Sequence, residues 1–244
     1  IQFPIGIFGV AMGMAVLPAL SVHAAKGDFD SLRSDFSFAL RLLFFMTIPA
    51  MAGLIALREP IVNILFQRGR FDYAATIGTS QALLFYSLGI WAMVGVRIVT
   101  VSFYSMQDTR TPVKVAVIAL LTNILLSLIF LGPLQHSGLA LANAVASSVN
   151  FTALFFMLRK KLGRVEGKKI AASFIKISTA SAVTGLMGWF IIRGDMWMES
   201  GKIIEKASTM TGVIALYIAV YILIMYLFRS EELTYLINMR KKKS

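Results

Sequence analysis

The chain has 244 residues, of which 57% are hydrophobic and only 15% are charged, and its mean hydropathy is +0.76. Soluble domains carry roughly 25% charged residues, so this composition excludes a soluble enzyme and a disordered chain. The absence of cysteine also excludes a secreted disulfide scaffold. The net charge of +12 fits nucleic acid, anionic lipid or an anionic substrate, and the placement of the charges has to separate these three.

Apolar windows of about 20 residues predict helices that cross a membrane. The apolar runs lack the period-two alternation of a transmembrane barrel, so the sequence predicts an all-α, polytopic membrane helix bundle. Seven spans are predicted, over residues 4–22, 38–57, 77–104, 113–134, 138–158, 170–192 and 207–228. Because their number is odd and the first starts at the chain's edge, we expect this to be the C-terminal part of a longer transporter.

The basic residues predict the orientation of the spans. Fourteen of the 24 lie in one set of alternating connecting segments and six in the other. By the positive-inside rule, the richer set, which includes the C-terminus, is cytoplasmic. We expect the basic cluster at residues 240–243 to lie against anionic lipid headgroups. No folded basic domain remains to bind nucleic acid, which we therefore exclude as a partner.

The segment from residue 58 to residue 71, on the predicted outer side, is too short and too polar to span the membrane. Its apolar run ends at Gly69, which predicts a short interfacial helix followed by a turn. Arg68 and Arg70 lie in this turn. They are candidates for contacts with lipid or substrate headgroups, and a solvated basic loop is the alternative interpretation.

Charges within the spans are of one sign only. All twelve acidic residues fall in loops or tails, whereas four basic residues, Arg41, Arg97, Lys114 and Lys176, fall in spans. A cavity lined by cations alone favours an anionic substrate. The alternative is that long basic side chains reach the headgroups, which is favoured for Arg41, Lys114 and Lys176. Arg97 lies deepest and is the strongest candidate for a residue that lines a cavity.

Uncharged polar residues form two stripes at helical spacing. Asn123 and Ser127 share one helix face, and Asn143, Ser147 and Asn150 share another. Hydrogen bonds between helices explain such stripes, and this is the favoured interpretation. The alternative, which would give the stripes a function, is a polar cavity or a site for a hard cation. The sequence contains no recognisable catalytic motif, so we predict neither an enzyme nor a metal site or cofactor.

Four segments, taken together in this order, carry a family resemblance. They are residues 3–11 with 17–21, residues 60–71, residues 103–112 and residues 138–142, and the stretch Phe-Tyr-Ser-Met-Gln-Asp-Thr-Arg-Thr-Pro at 103–112 is the most specific. The chain resembles the MviN/MurJ family of lipid II flippases, in the multidrug/oligosaccharidyl-lipid/polysaccharide (MOP) exporter superfamily. The resemblance implies a fourteen-helix transporter, of which residues 1–160 supply the C-terminal lobe and residues 161–244 two additional spans and a tail.

The resemblance also implies a function. Such proteins move an undecaprenyl-diphosphate-linked peptidoglycan precursor across the bacterial cytoplasmic membrane by alternating access, for cell-wall biogenesis and cell shape. Cavity arginines would hold the anionic headgroup. The last two helices, which here fall within residues 170–228, would form a groove for the lipid tail. The N-terminal lobe of the same protein and the membrane lipids would be partners. Export of another lipid-linked polysaccharide intermediate, or of drugs, is the alternative.

Sodium and the membrane potential are both candidates for the energy source. Some family members bind sodium through a carboxylate one turn after an asparagine. In this chain Ser127 follows Asn123 at that spacing, so the resemblance does not carry a sodium site over to these positions.

Overall fold

The computed structural model describes Gly6, residues 11–198 and residues 201–241. Within these residues the regular secondary structure is helical, with no strand, which confirms the predicted fold class. The start of the span predicted at 4–22 and the end of the basic cluster at 240–243 lie outside the described residues. The described α-helices are α1 (Ala11–Lys26), α2 (Phe29–Ala56), α3 (Arg58–Phe66), α4 (Tyr73–Leu88), α5 (Ile90–Ser105), α6 (Arg110–Leu162), α7 (Gly167–Ile191), α8 (Ile203–Leu227) and α9 (Glu231–Lys241).

Most of the predicted spans are present as long apolar helices. In the described part of the chain, α2, α4 with α5, α6, α7 and α8 are long and apolar enough to cross a membrane. Helix α6 has 53 residues and breaks at Gln135, where φ is 50° and ψ is −134°, so that its two arms supply two spans. Six of the seven predicted spans are thereby confirmed, and α1 is the described part of the first. The chain is a multi-pass membrane protein.

Two boundaries differ from the prediction. Helix α2 begins at Phe29, well before residue 38, because the Asp28 side chain accepts a hydrogen bond from Ser31 N and caps the first turn. The span predicted over 77–104 is confirmed as Tyr73–Ser105, and it contains a break at Gly89, where α4 ends and α5 begins. A Cβ at Gly89 would lie 2.7 Å from the Cα of Ala144. The glycine therefore allows this junction to pack directly on the second arm of α6.

Helix α2 lies at the centre of the bundle and packs against α1, α5 and α7. An aromatic cluster joins these layers, because Phe44 of α2 contacts Trp91 of α5, Phe151 of α6 and Phe174 of α7 with ring centroids 5.4–6.3 Å apart. Edge-to-face pairs of this kind add specific geometry to apolar burial. The cluster packs α7 directly onto the central helix α2.

The outer segment confirms the predicted short helix and turn. Helix α3 ends at Phe66, Gly69 adopts a positive φ of 62°, and Asp72 caps α4 by accepting a hydrogen bond from Ala75 N. Asn63 of α3 is buried and donates both to Gln67 Oε1 and to the carbonyl of Trp197. The turn is thus tied to the segment that leads into α8.

Candidate functional site

Arg97 and Lys114 lie on the neighbouring helices α5 and α6, which pack against each other. Both side chains are exposed, although Ile98 and Val99, the next two residues after Arg97, are fully buried. An arginine in a membrane span that points away from its own bundle is costly in hydrocarbon and is therefore usually directed at a water-filled cavity or another protein surface. This face of α5 can accept an anion.

Arg41 has a different environment, because it is buried in the bundle with carboxylate partners from the end of the chain. Its Nη1 donates to Glu231 Oε2 at 2.7 Å and to Glu232 Oε1 at 3.1 Å. Glu232 is 2% exposed and also accepts hydrogen bonds from Ser173 and Ser230. We call these five residues the Arg41 network. It joins α2, α7 and α9 at the predicted cytoplasmic end.

The charges of the Arg41 network stabilise one another. The guanidinium of Arg41 donates to Glu231 and holds the pKa of that carboxyl below its ordinary value. Glu231 remains largely exposed, whereas the buried Glu232 has its carboxylate oxygens satisfied from three sides. Arg41 therefore meets protein carboxylates in this structure and not lipid headgroups, the alternative that the sequence favoured.

Lys176 of α7 lies at the same end of the bundle. Its side chain is exposed, and Nζ donates to the carbonyl of Phe228 at 3.2 Å. Phe228 is the residue that follows the last turn of α8. A lysine there satisfies a free carbonyl and lies at the negative end of the helix dipole. Lys176 thus contacts the end of a neighbouring helix.

Arg68 and Arg70 lie at the opposite end, in the turn between α3 and α4. Both are exposed, and Arg68 donates to the carbonyl of Leu65. The six basic residues predicted as substrate contacts therefore do not converge on one point. Arg41 and Lys176 lie at one end of the bundle, Arg68 and Arg70 at the other, and Arg97 and Lys114 are exposed on α5 and α6, respectively.

The predicted polar stripes lie on the two arms of α6. Asn123 and Ser127 are half-buried on the first arm, and Asn143, Ser147 and Asn150 are half-buried on the second. The side-chain oxygen of Asn150 is buried and has no hydrogen-bond partner among the described residues.

An apolar groove runs between α2 and α7, with a volume of about 520 Å³. One wall belongs to α7 and the other to α2. The resemblance implies a tail groove within residues 170–228, which include α7 and α8, whereas no residue of α8 lines this groove. The groove is lined by Ile48, Met51, Ala52, Ile55, Ala56, Arg58, Ser178, Ser181, Ala182, Gly185, Leu186 and Trp189.

Two buried tyrosines of α8 contact the backbone of α2 on this part of the helix. Tyr217 donates to the carbonyl of Pro49 and Tyr221 donates to the carbonyl of Phe45, each at 2.8 Å. Sequence reasoning did not single these residues out. A proline within a span, together with tyrosines four residues apart on a later span, is the signal that points to such a contact.

A buried lysine lies near the N-terminal end of α8. Lys206 is 2% exposed, and its Nζ donates to Asn63 Oδ1 at 2.9 Å. The sequence placed Lys206 among the charges of an outer loop, and the structure instead places it in the first turn of α8, packed on α3. Its ammonium group therefore joins the start of α8 to α3.

The most specific sequence motif, residues 103–112, forms the junction between α5 and α6. Asp108 accepts hydrogen bonds from Thr111 N and Thr111 Oγ1 at the start of α6, and from Lys161 Nζ at 2.7 Å near its end. The bond from Lys161 is the largest cause that lowers the pKa of Asp108 to about 2. The motif therefore joins the two ends of α6, both predicted to lie on the cytoplasmic side, through one carboxylate.

Comparison with known proteins agrees with this architecture. The family model described as lipid II flippase MurJ matches residues 1–200. The chain belongs to the MurJ lipid II flippase family. The probable lipid II flippase MurJ of Vibrio cholerae serotype O1 is 33% identical over 228 residues, which are 93% of this chain. The lipid II flippase MurJ of Burkholderia cenocepacia is 28% identical over 221 residues, or 90% of the chain.

A solved structure of this family has the same fold. The lipid II flippase MurJ in an inward closed conformation matches 93% of this chain with a TM-score of 0.74 and 26% sequence identity. The matched region is 43% of the Vibrio and Burkholderia proteins and 44% of the solved chain. The chain thus spans less than half the length of these MurJ relatives.

Proposed function

We propose that this chain forms the C-terminal lobe of a lipid II flippase, which an N-terminal lobe completes. The observation that carries the proposal is the match to the MurJ family over residues 1–200, together with a shared fold at a TM-score of 0.74. The substrate would be an undecaprenyl-diphosphate-linked peptidoglycan precursor. It would move from the inner to the outer leaflet of the bacterial cytoplasmic membrane by alternating access.

The distribution of charge supports an anionic headgroup. Arg97 and Lys114 are exposed on adjacent helices of a bundle whose predicted spans contain no acidic residue. Arg97 would donate to the diphosphate from the cavity between the two lobes, where low polarity strengthens such charge-assisted bonds. Arg41 would not take part, because its guanidinium is held by two carboxylates.

The apolar groove between α2 and α7 supports a place for the isoprenoid tail. Its volume of about 520 Å³ suits a segment of a prenyl chain, and small residues such as Ala52 and Gly185 let the walls approach closely. The transport step breaks no covalent bond, so we assign no catalytic residue. The C-terminus would lie in the cytoplasm, as the placement of the basic residues indicates.

The proposal is tested in cells that depend on the complete protein. Its depletion should leave lipid II accessible only on the inner leaflet, as measured with a membrane-impermeant probe of the headgroup. Complementation with Arg97→Gln should restore little outer-leaflet lipid II. The matched control Arg159→Gln, at an exposed arginine near the cytoplasmic end of α6, should restore it fully. Normal outer-leaflet lipid II after depletion would reject the function.

A further inference from the structure

Helix α2 contains a proline, and α8 supplies the hydrogen bond that this proline removes. Pro49 has no N–H, so the carbonyl of Phe45, four residues earlier, loses its usual donor within the helix. Tyr221 donates its hydroxyl to that carbonyl at 2.8 Å, and the bond is buried. Inside a membrane protein a free carbonyl is costly, so a side chain from a neighbouring helix is a fitting replacement.

A second bond runs parallel to the first. Tyr217, four residues before Tyr221, donates to the carbonyl of Pro49, four residues after Phe45. Residues four apart lie on the same helix face, so the two bonds join one face of α8 to one face of α2. Together they fix both the register of the two helices and the direction of α2 at the proline.

The ring of Tyr217 also packs beside both helices that form the groove. Its atoms lie 3.8 Å from the position a Cβ would take at Gly53 of α2 and 3.7 Å from that position at Gly188 of α7. On α2 the groove is lined by Ile48, Met51, Ala52 and Ile55, which flank Pro49 on either side. Because these wall residues lie on both sides of Pro49, the course of α2 around the proline affects how far apart the two walls stand.

We propose that Tyr217 and Tyr221 are positioning residues that hold the course of α2 around Pro49, and thereby the width of the groove between α2 and α7. The inference rests on the proposed function in one respect, which is that the groove takes the isoprenoid tail. The hydroxyls act through the backbone of α2, and neither tyrosine lines the groove itself. Removing a hydroxyl should change the fit of a long tail without affecting contacts to the headgroup.

The first test measures the geometry without any lipid. Spin labels at cysteines introduced at Ile55 and Leu186, on opposite walls, report the width of the groove in a cysteine-free version of the complete protein. Tyr221→Phe should shift or broaden the distance distribution, because the ring remains and only the bond is lost. Tyr226→Phe, an exposed tyrosine of the same helix, is the matched control and should leave the distribution unchanged. An unchanged distribution in Tyr221→Phe would overturn the inference.

The second test uses Pro49→Ala, which restores an N–H that can bond to the carbonyl of Phe45. The hydroxyl of Tyr221 then becomes redundant, whereas that of Tyr217 does not. We expect Tyr221→Phe to lower the affinity for undecaprenyl diphosphate about threefold to tenfold in the parent, the range of one hydrogen bond. In the Pro49→Ala background, Tyr221→Phe should not change this affinity. Tyr217→Phe should lower the affinity equally in the parent and in the Pro49→Ala background. Equal effects of Tyr221→Phe in the two backgrounds would reject the role of the proline.

A short-chain lipid separates this inference from the proposed function. Farnesyl diphosphate carries the same diphosphate on a much shorter tail, so its affinity should be the same in the parent and in Tyr221→Phe. If the groove width changes and the affinity for undecaprenyl diphosphate does not, then the groove is not the tail site and that part of the proposed function fails. If the width does not change, the inference fails and the proposed function stands.

Discussion

Arg41 and Arg97 look alike in the sequence, since each is a single arginine in an apolar span, but the structure gives them opposite surroundings. Arg41 is 7% exposed and is paired with Glu231 and Glu232. Arg97 is exposed on the surface of α5. The difference teaches that an arginine in a span has two distinct uses in this lobe. One arginine is neutralised by the protein and joins helices, and the other is exposed and is the one that we propose to contact an anion.

The largest expected effect is the loss of Arg41. Arg41→Ala should destabilise the lobe by about 3–5 kcal/mol, because it leaves the buried carboxylate of Glu232 without its cation. Thermal unfolding in detergent measures this change, with Arg159→Ala as an exposed control. The double variant Arg41→Met with Glu232→Met should recover most of the stability, since no buried charge is then left alone. Equal unfolding temperatures for Arg41→Ala and the parent would show that the network does not hold the fold.

The two carboxylates of the Arg41 network should differ from each other. Glu232→Gln should cost about 1.5–3 kcal/mol, because a buried charged acceptor of three hydrogen bonds is replaced by a neutral amide. Glu231→Gln should cost less than about 1 kcal/mol, because that side chain is 69% exposed and its ion pair is screened by solvent. Chemical unfolding of the two variants side by side measures the contrast. A larger cost at Glu231 than at Glu232 would contradict the structure.

The contact between Asp108 and Lys161 should appear as a dependence of stability on pH. The pKa of Asp108 lies at about 2 in the folded protein and at 3.8 without these contacts. Because the folded value is the lower one, the stabilisation is present above about pH 4 and is lost as the pH falls towards 2. Lys161→Met should weaken this dependence by less than about 1 kcal/mol, and Lys160→Met should not alter it. The measurement is the unfolding temperature of both variants between about pH 2 and pH 4. A parent-like pH profile for Lys161→Met would show that its contact with Asp108 does not cause the pH dependence.

Arg97 should have the smallest effect on stability. Arg97→Gln should change the free energy of unfolding by no more than about 0.5 kcal/mol, because the side chain is exposed and contributes little to packing. The measurement is the same thermal unfolding as for Arg41→Ala. A loss comparable to that of Arg41→Ala would mean that Arg97 also stabilises the fold. The proposed difference between the two arginines would then be wrong.

The fold could be predicted because its signals are local. Apolar windows predicted six spans that the structure confirms, and Gly69 predicted the outer turn. The split at Gly89 could not be predicted in this way, because it depends on the approach of Ala144 from another helix. Local sequence patterns predict which secondary structure a segment forms, but they do not predict which other segment packs against it.

The contacts of the candidate residues were less predictable for the same reason. Arg41 meets Glu231 across a separation of 190 residues, and Glu231 alone reads as part of a cytoplasmic tail. The role of Tyr221 depends equally on Pro49, which lies in the first half of the bundle. Intramembrane cations could be found from the sequence, but their partners required the helices to be placed in space.

The affinity of the complete protein for undecaprenyl diphosphate tests the different uses of the two arginines most directly. Titration of the parent, of Arg97→Gln and of the double variant Arg41→Met with Glu232→Met measures it. We predict that Arg97→Gln loses about tenfold or more, the scale of one charge-assisted hydrogen bond, and that the double variant retains the parental affinity. Parental affinity in Arg97→Gln, or a loss confined to the double variant, would contradict this account.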